Sequence, residues 1–373
     1  MTIGLINIYS TRNLGDAAIY TALAAMCPNG KALGVLAETE GTGVLGLQLV
    51  PKLPACDAYV SVGGEIFNNP RQGLVTKRFL GNVAALSRHA SRTLLFGQTV
   101  PRSCRGLAFG LLATALKRLP AVVVRDVESH SRLRCAGVSA QLSYDAAFTL
   151  ANEPAAVQAA TALYARFGLD PNRTAIISLR GESLMYSSTG NKAERAIADI
   201  ARRLMQRGHQ VAIIVQADND HSDSDIAMCR RIASELPGIV VIDPFALELA
   251  LPAWSLYSAV LALANVVVAA RYHTAILRLI SGRKALVLHY SSKGEDLCNR
   301  LGLDGLLYGD ADGERACLLA EKSADGTFDA APLAKDVRDQ FAAALGTVGG
   351  MQQVTPHSVQ SQACRANAQT QLV

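Results

Sequence analysis

Two α/β domains, each built on a mostly parallel, doubly wound sheet, are predicted by three observations in the 373-residue sequence. Short β-rich apolar runs alternate with helical stretches along almost the whole chain, the pattern of strand–helix–strand units. Half of the residues are hydrophobic but only 5% are aromatic, so the core must be aliphatic, which suits buried parallel strands. The length exceeds what one core normally serves, and the alternation starts afresh after a break near residues 150–154.

In the first half the strand candidates are Ile3 to Ile8, Ala32 to Ala37, Ala58 to Val62, Thr93 to Phe96 and Ala121 to Val124. Helical periodicity fills the gaps at Ala17 to Met26, Leu74 to His89, Leu107 to Lys117 and Val127 to Cys135. Asn152-Glu153-Pro154 reads as a linker that opens a helix, with proline near its start. Further strands are expected at Ala175 to Leu179, Val211 to Val215, Val240 to Ile242, Val266 to Ala269 and Ala285 to His289. Helices run about Lys192 to Arg207, Asp223 to Leu236, Ala253 to Ala262 and Thr274 to Ser281. The expected division is residues 1–150, 151–328, a last amphipathic helix in 329–346, and a Gln- and Ser-rich disordered tail in 347–373.

The net charge of +5 reads as spread thinly, with no Lys/Arg run of the kind that binds nucleic acid. Ordinary solubility charge accounts for it, although a mild excess also suits an anionic substrate or membrane surface. Eight cysteines lie without any C-x-x-C pair, so neither a zinc site nor a disulfide framework is expected, and several read as buried thiols. Met1 to Ile6 lacks the charged start and long apolar core of a signal peptide. The longest apolar run, Leu261 to Ala270, is too short to span a bilayer and contains Asn265. The reading is a soluble, cytoplasmic protein.

Ligands of open parallel sheets bind outside the carboxyl ends of the strands. At those positions stand Asn13-Leu14-Gly15-Asp16, Gly63-Gly64-Glu65, Gly97-Gln98, Arg125-Asp126, Arg180-Gly181-Glu182, Gln216-Ala217-Asp218, Arg271-Tyr272-His273 and Tyr290-Ser291-Ser292-Lys293. Turns and caps need Gly, Asn, Asp and Ser anyway, so most single clusters have a structural explanation, and Asn13 or Asp16 reads equally as a helix cap. Arg180, Arg271, His273 and Lys293 are neither turn formers nor caps. A helix N-terminus disfavours a cation unless an anion joins it, so Arg271 and His273 at the start of a helix are candidate ligands for phosphate or carboxylate. Lys293, one strand further on, would lie close to Arg271. Asp218, Asp220, Asp223 and Asp225 with His221 resemble a metal cluster, but the stretch reads better as an exposed loop and helix start.

Taken in order from Ile3 to Leu303, these residues resemble the polysaccharide pyruvyl transferases. The likeness rests on Asn13-Leu14-Gly15-Asp16, Gly63-Gly64-Glu65, Gly97-Gln98 with Pro101, Arg125-Asp126 with Ser129, Asp145 with Phe148, and Ser178-Leu179-Arg180. Arg271-Tyr272-His273, Gly282, Tyr290 and Lys293 complete it. Glu65 stands where the family usually has a third glycine, and a second glycine usual before Pro101 is missing.

The resemblance implies two Rossmann-like domains facing across a cleft, as in GT-B glycosyltransferases, with the acceptor on the first and the donor on the second. It implies transfer of a pyruvate ketal group from phosphoenolpyruvate to a sugar, releasing phosphate, with no cofactor and no metal. Arg180, Arg271, Lys293 and Tyr290 are then expected to hold phosphoenolpyruvate, and His273, Arg271 and Asp16 to be catalytic. Asn13, Gly63, Gly64, Glu65 and Gln98 are expected to bind the acceptor. That acceptor is a saccharide, free or nucleotide- or lipid-linked, and a lipid-linked one would bring the protein to the inner membrane face. A nucleotide-sugar glycosyltransferase and a non-catalytic binding module on the same fold are the alternatives.

Overall fold

The structure, a computed structural model, describes residues 1–35, 44–69, 74–181, 190–219, 223–247 and 250–348. The end of the second strand candidate at 36–37, Glu182, Asp220, His221 and the tail from 349 lie outside the described residues.

The first sheet contains β1 (Ile3–Ile6), β2 (Ala32–Gly34), β3 (Leu47–Leu49), β4 (Ala58–Ser61), β5 (Thr93–Gln98), β6 (Ala121–Val124) and β7 (Ala140–Leu142). Its order is β3-β2-β1-β4-β5-β6-β7, and every pair is parallel. Helices α1 (Leu14–Met26), α2 (Lys77–Arg88), α3 (Gly106–Leu116) and α4 (Val127–Cys135) join these strands.

The second sheet holds β8 (Thr174–Ser178), β9 (Gln210–Ile214), β12 (Val240–Ile242), β13 (Val266–Ala269), β14 (Leu286–His289) and β15 (Gly305–Leu307). Its order is β12-β9-β8-β13-β14-β15, again parallel throughout. A two-stranded antiparallel ribbon, β10 (Asp218–Asn219) and β11 (Asp223–Ser224), stands apart. Its helices are α5 (Pro154–Phe167), α6 (Gly190–Gln206), α7 (Ile226–Glu235), α8 (Ala253–Leu263), α9 (Tyr272–Leu279), α10 (Ser292–Leu301), α11 (Gly313–Ala324) and α12 (Ala331–Val348). Both sheets reverse strand order once, between β1 and β4 and between β8 and β13, and such a reversal opens a crevice at the carboxyl edge.

Three edge strands, β3, β7 and β15, and helices α10 and α11 were not expected from the sequence. Unlike the equally short Val240–Ile242, which the sequence did signal, none of the three holds a β-branched residue, so nothing marks them as strands. Helix α10 opens with Ser-Lys-Gly-Glu-Asp, which reads as a loop. Gly294 is there for close packing, since a Cβ would stand 2.7 Å from the His289 Cβ.

Helices α1 and α8 explain how the halves are joined. Both are Ala- and Leu-rich with little polar face, and such helices are buried all round. Leu14, Ala17, Ala18, Leu23, Tyr257, Val260 and Leu261 belong to one apolar core that runs through both domains. Polar bonds reinforce it: Leu14 N donates to Gln216 O at 2.9 Å and Asp218 N to Arg12 O at 2.9 Å. Helix α8 ends where the buried Arg278 guanidinium caps it, donating to Leu261 O at 2.5 Å and Asn265 O at 3.0 Å. The last helix, α12, returns to the first sheet and sets Phe341 edge-on to Phe96, with ring centroids 5.0 Å apart. Burial pushes the thiols of Cys27, Cys104 and Cys298 up to about 12, so they pack as small apolar groups. No helix among the described residues is long and apolar enough to cross a membrane.

Candidate active site

The carboxyl edges of the two sheets meet, and that meeting brings charged side chains from seven connections into one cluster. Its centre is a buried ion pair. Arg125, after β6, donates from Nη1 to Asp145 Oδ2 at 2.5 Å and from Nε to Thr99 Oγ1 at 2.9 Å. Both members are almost wholly buried. Burial alone would raise the Asp145 pKa, but Arg125 and His273 overcome it and hold the carboxyl well below the usual carboxylate range.

His273 enters from the second domain, in the first turn of α9. Its Nε2 lies 3.4 Å from Asp145 Oδ2, an ion-pair distance without hydrogen-bond geometry. Its other ring face lies on Gly15 of α1, where a Cβ would stand 2.1 Å from the His273 Nδ1. Gly15 is therefore glycine because the imidazole occupies the place of its side chain. Gly64 has a similar role: a Cβ there would lie 3.3 Å from both Arg125 Nη2 and Asp16 Oδ1, which places Asp16 in the same cluster. Gly63 turns the chain at φ 118°, a conformation that only glycine adopts readily.

Next to this pair, Lys293 Nζ lies 2.8 Å from Glu65 Oε2 and 5.6 Å from the Tyr272 ring centroid. Burial resists the Glu65 charge, yet Lys293 in direct contact, with the electrostatic pull of Arg125 and Arg180, lowers its pKa. Arg180 stacks on the Tyr290 ring at 4.4 Å and bonds its hydroxyl. Helices α9 and α10 both open here, and like α3, α5, α7 and α8 neither has a side-chain cap. Uncapped N-termini present N–H groups and positive partial charge to an anion.

Three expected site residues are engaged elsewhere. Arg271 was expected as an anion clamp. It is 3% exposed, and such a cation needs a counter-charge, which Asp225 supplies at hydrogen-bond contact. Its Nε also donates to Leu179 O at 3.3 Å. Asp225 was expected in an exposed loop; it is completely buried and also accepts from Gly181 N at 2.9 Å and Ala217 N at 3.1 Å. Asn13 caps α1 through Gly15 N and accepts from Gln216 Nε2 of the second domain at 3.4 Å, so it holds the domains together at the cleft floor. Gln98 is buried, with Nε2 donating to Val62 O at 2.7 Å and Ser61 Oγ at 3.2 Å, and it ties β5 to β4 beneath the site.

Arg125, Asp145 and Asp225 are the residues that the sequence reading passed over as site members. Asp145 ahead of Ala146, Ala147 and Phe148 reads as a helix cap, and it does accept from Ala147 N at 2.9 Å, so the sequence did not announce the buried Arg125 beside it. Among the described residues no three His, Cys, Asp or Glu side chains are grouped to hold a metal ion. A surface groove lined by Met1, Thr2, Pro28, Asn29 and Lys31 lies at the opposite, amino ends of the strands.

Two parallel Rossmann-like domains that meet at their carboxyl edges define a GT-B-like architecture. Solved structures with this fold include UDP-GlcNAc 2-epimerase from Methanocaldococcus jannaschii, with TM-score 0.56, 10% identity, 92% of this chain and 99% of that chain covered. S. aureus MnaA with UDP gives TM-score 0.59 at 10% identity, over 96% of this chain and 100% of that chain. The α,α-trehalose 6-phosphate synthase from Burkholderia multivorans gives 0.55 at 10% identity, over 93% and 98%. At such identities the likeness concerns the fold alone. No curated protein matches the sequence. The family profile of the polysaccharide pyruvyl transferases matches residues 8–292, and the chain belongs to that family. It is thus a transferase of polysaccharide pyruvylation.

Proposed function

We propose that the chain transfers a pyruvate ketal group from phosphoenolpyruvate to two hydroxyls of a saccharide, with release of phosphate. The observation that carries this reading is the gathering of Lys293, paired with Glu65 at 2.8 Å, and Arg180, stacked on Tyr290, beside the N-termini of α9 and α10. A donor with a phosphate and a carboxylate needs that concentration of cations and N–H groups.

Arg180 and Lys293, with Tyr290 stacked on Arg180, hold the donor. His273 delivers a proton to the donor methylene carbon, and Asp145, 3.4 Å from its Nε2, orients the imidazole. The central carbon then bears oxocarbenium character and accepts the first sugar hydroxyl. Its bond to the phosphate oxygen breaks, and the second hydroxyl closes the ketal. Of the two hydroxyl protons, one replaces the proton given by His273 and the other leaves with phosphate. Lys293 and the N–H groups of α10 offset the charge that gathers on the departing phosphate. Asp16, beside Gly64, takes the proton of the second hydroxyl and passes it to the departing phosphate. Arg271 acts through Asp225: the pair fixes the start of α9 and so the position of His273. The scheme uses no metal and no cofactor.

A lipid-linked acceptor would bring the protein to the inner membrane face; a nucleotide-linked or free one would leave it in the cytoplasm. The test is incubation with phosphoenolpyruvate and candidate glycans while phosphate is monitored. Acceptor-dependent phosphate release is expected. Release of nucleotide from a sugar nucleotide, with phosphoenolpyruvate untouched, would replace this reading by a glycosyltransferase.

A further inference from the structure

The charge of the chain is not spread thinly, as its total suggested. Residues 66–125 hold ten of the 36 Lys and Arg and none of the 31 Asp and Glu, so the remainder sums to −5. The fold gathers much of this stretch on one side of the first domain. Helices α2 and α3 lie next to each other on one sheet face, with Phe79, Leu86, Leu112 and Leu116 buried beneath them. Neither helix contains an acidic residue.

Their outward stripes are unusual for a solvated surface. On α2 the exposed positions include Lys77, Leu80, Ala84 and Arg88. On α3 they begin with Leu107 and Leu111, and Lys117 and Arg118 follow at the end of the helix. Leu107 is 67% exposed and Leu74, ahead of α2, is 65% exposed. A single exposed leucine means little, but leucines framed by cations, with no acid on either helix and Glu128 of α4 already paired with Arg102, form an amphipathic surface.

We propose that this α2–α3 face docks on an anionic phospholipid bilayer, with its leucines in the headgroup boundary and its cations on lipid phosphates. Charge complementarity selects an anionic partner, and the exposed leucines select a lipid surface among anionic partners. Nucleic acid fits less well because the helices present no stacking platform: Phe79 is buried and Phe109 lies under the Arg132 guanidinium at 4.7 Å. The face also adjoins the cleft. Arg78 of α2 stacks on Tyr9, in the β1–α1 connection, at 3.7 Å, and Asn82 Nδ2 donates to Ile66 O just after Glu65 at 3.0 Å. Docking therefore brings the acceptor side of the cleft to the bilayer, a consequence that rests on the acceptor reading above. The docking itself does not depend on the donor, so loss of vesicle binding and loss of phosphoenolpyruvate turnover are separate failures.

The test is co-sedimentation of the full chain with vesicles of phosphatidylglycerol and phosphatidylcholine, and with phosphatidylcholine alone. Binding is expected only to the anionic vesicles, and it should weaken as salt is raised. Lys117→Gln with Arg118→Gln should lower partitioning about 25-fold, from about fivefold per cation. Leu107→Ser with Leu111→Ser should lower it by about tenfold or more. Both variants should keep the wild-type melting temperature and turnover on a soluble acceptor. Equal binding to phosphatidylcholine alone, or vesicle binding unchanged in either variant, overturns the proposal. So does retention on heparin or DNA without vesicle binding.

Discussion

Gly15→Ala is the sharpest test of how the site is built. The new methyl would stand 2.1 Å from His273 Nδ1, 2.4 Å from its Cγ and 2.8 Å from its Cβ. The last contact involves the root of the side chain, so rotation of the ring does not relieve the overlap, and α9 must shift. Overpacking of this kind costs about 1–3 kcal/mol. Alanine is the better helix former, which returns up to about 1 kcal/mol. The net loss of roughly 1–2 kcal/mol lowers the melting temperature by about 2–8 °C for domains of this size. A displacement of about 1 Å at a reacting group reduces turnover by about 100-fold. Combining Gly15→Ala with His273→Ala removes the two ring contacts and leaves only the 2.8 Å contact with the Cβ. The double-mutant cycle should therefore give a favourable coupling of about 1 kcal/mol or more, within the range for touching residues. The assay is thermal or denaturant melting of the four proteins, with turnover measured on each. Wild-type turnover in Gly15→Ala, or strict additivity of the cycle, would refute the placement of His273 on α1.

Three further outcomes are expected. Glu65→Gln takes away the carboxylate that pairs with Lys293, so the apparent KM for phosphoenolpyruvate should fall; an increase would show that Glu65 helps to hold the donor. Lys293→Ala should raise that KM, and unchanged donor kinetics would remove Lys293 from the site. Asp145→Asn strands the buried Arg125 and should cost about 3–5 kcal/mol of stability, along with turnover. Asp145 has a folded pKa below its unfolded value, so its contribution is present above about pH 4 and is lost as pH falls through the lower folded value. The asparagine variant should consequently lose less stability than the wild type on acidification below that point, as read by denaturant melts across pH.

The fold was legible wherever a strand is four or more apolar residues long. Val266 to Ala269 and Ala121 to Val124 were expected with the bounds that the structure gives. Edge strands such as Leu47–Leu49 hold no β-branched residue to mark them. At the site, sequence reasoning could place residues on a sheet edge, because parallel strands all end on the same side. It could not pair them. Arg271 finds its counter-charge 46 residues away, in a stretch that read as an exposed loop. His273 meets Asp145 only because α1 and α8 bring two domains together. The segregated charge of residues 66–125 was masked by a whole-chain total in which the −5 of the remainder cancels half of it.

The central claim is that the donor sits between Arg180, Lys293 and His273. A structure with phosphoenolpyruvate, or its acid-stable analogue, bound in the cleft tests it most directly. The account predicts the donor's phosphate and carboxylate on Arg180, Lys293 and the N-termini of α9 and α10, with Glu65 displaced and His273 facing the methylene carbon. A donor bound away from these residues, or with His273 out of reach of that carbon, would contradict it.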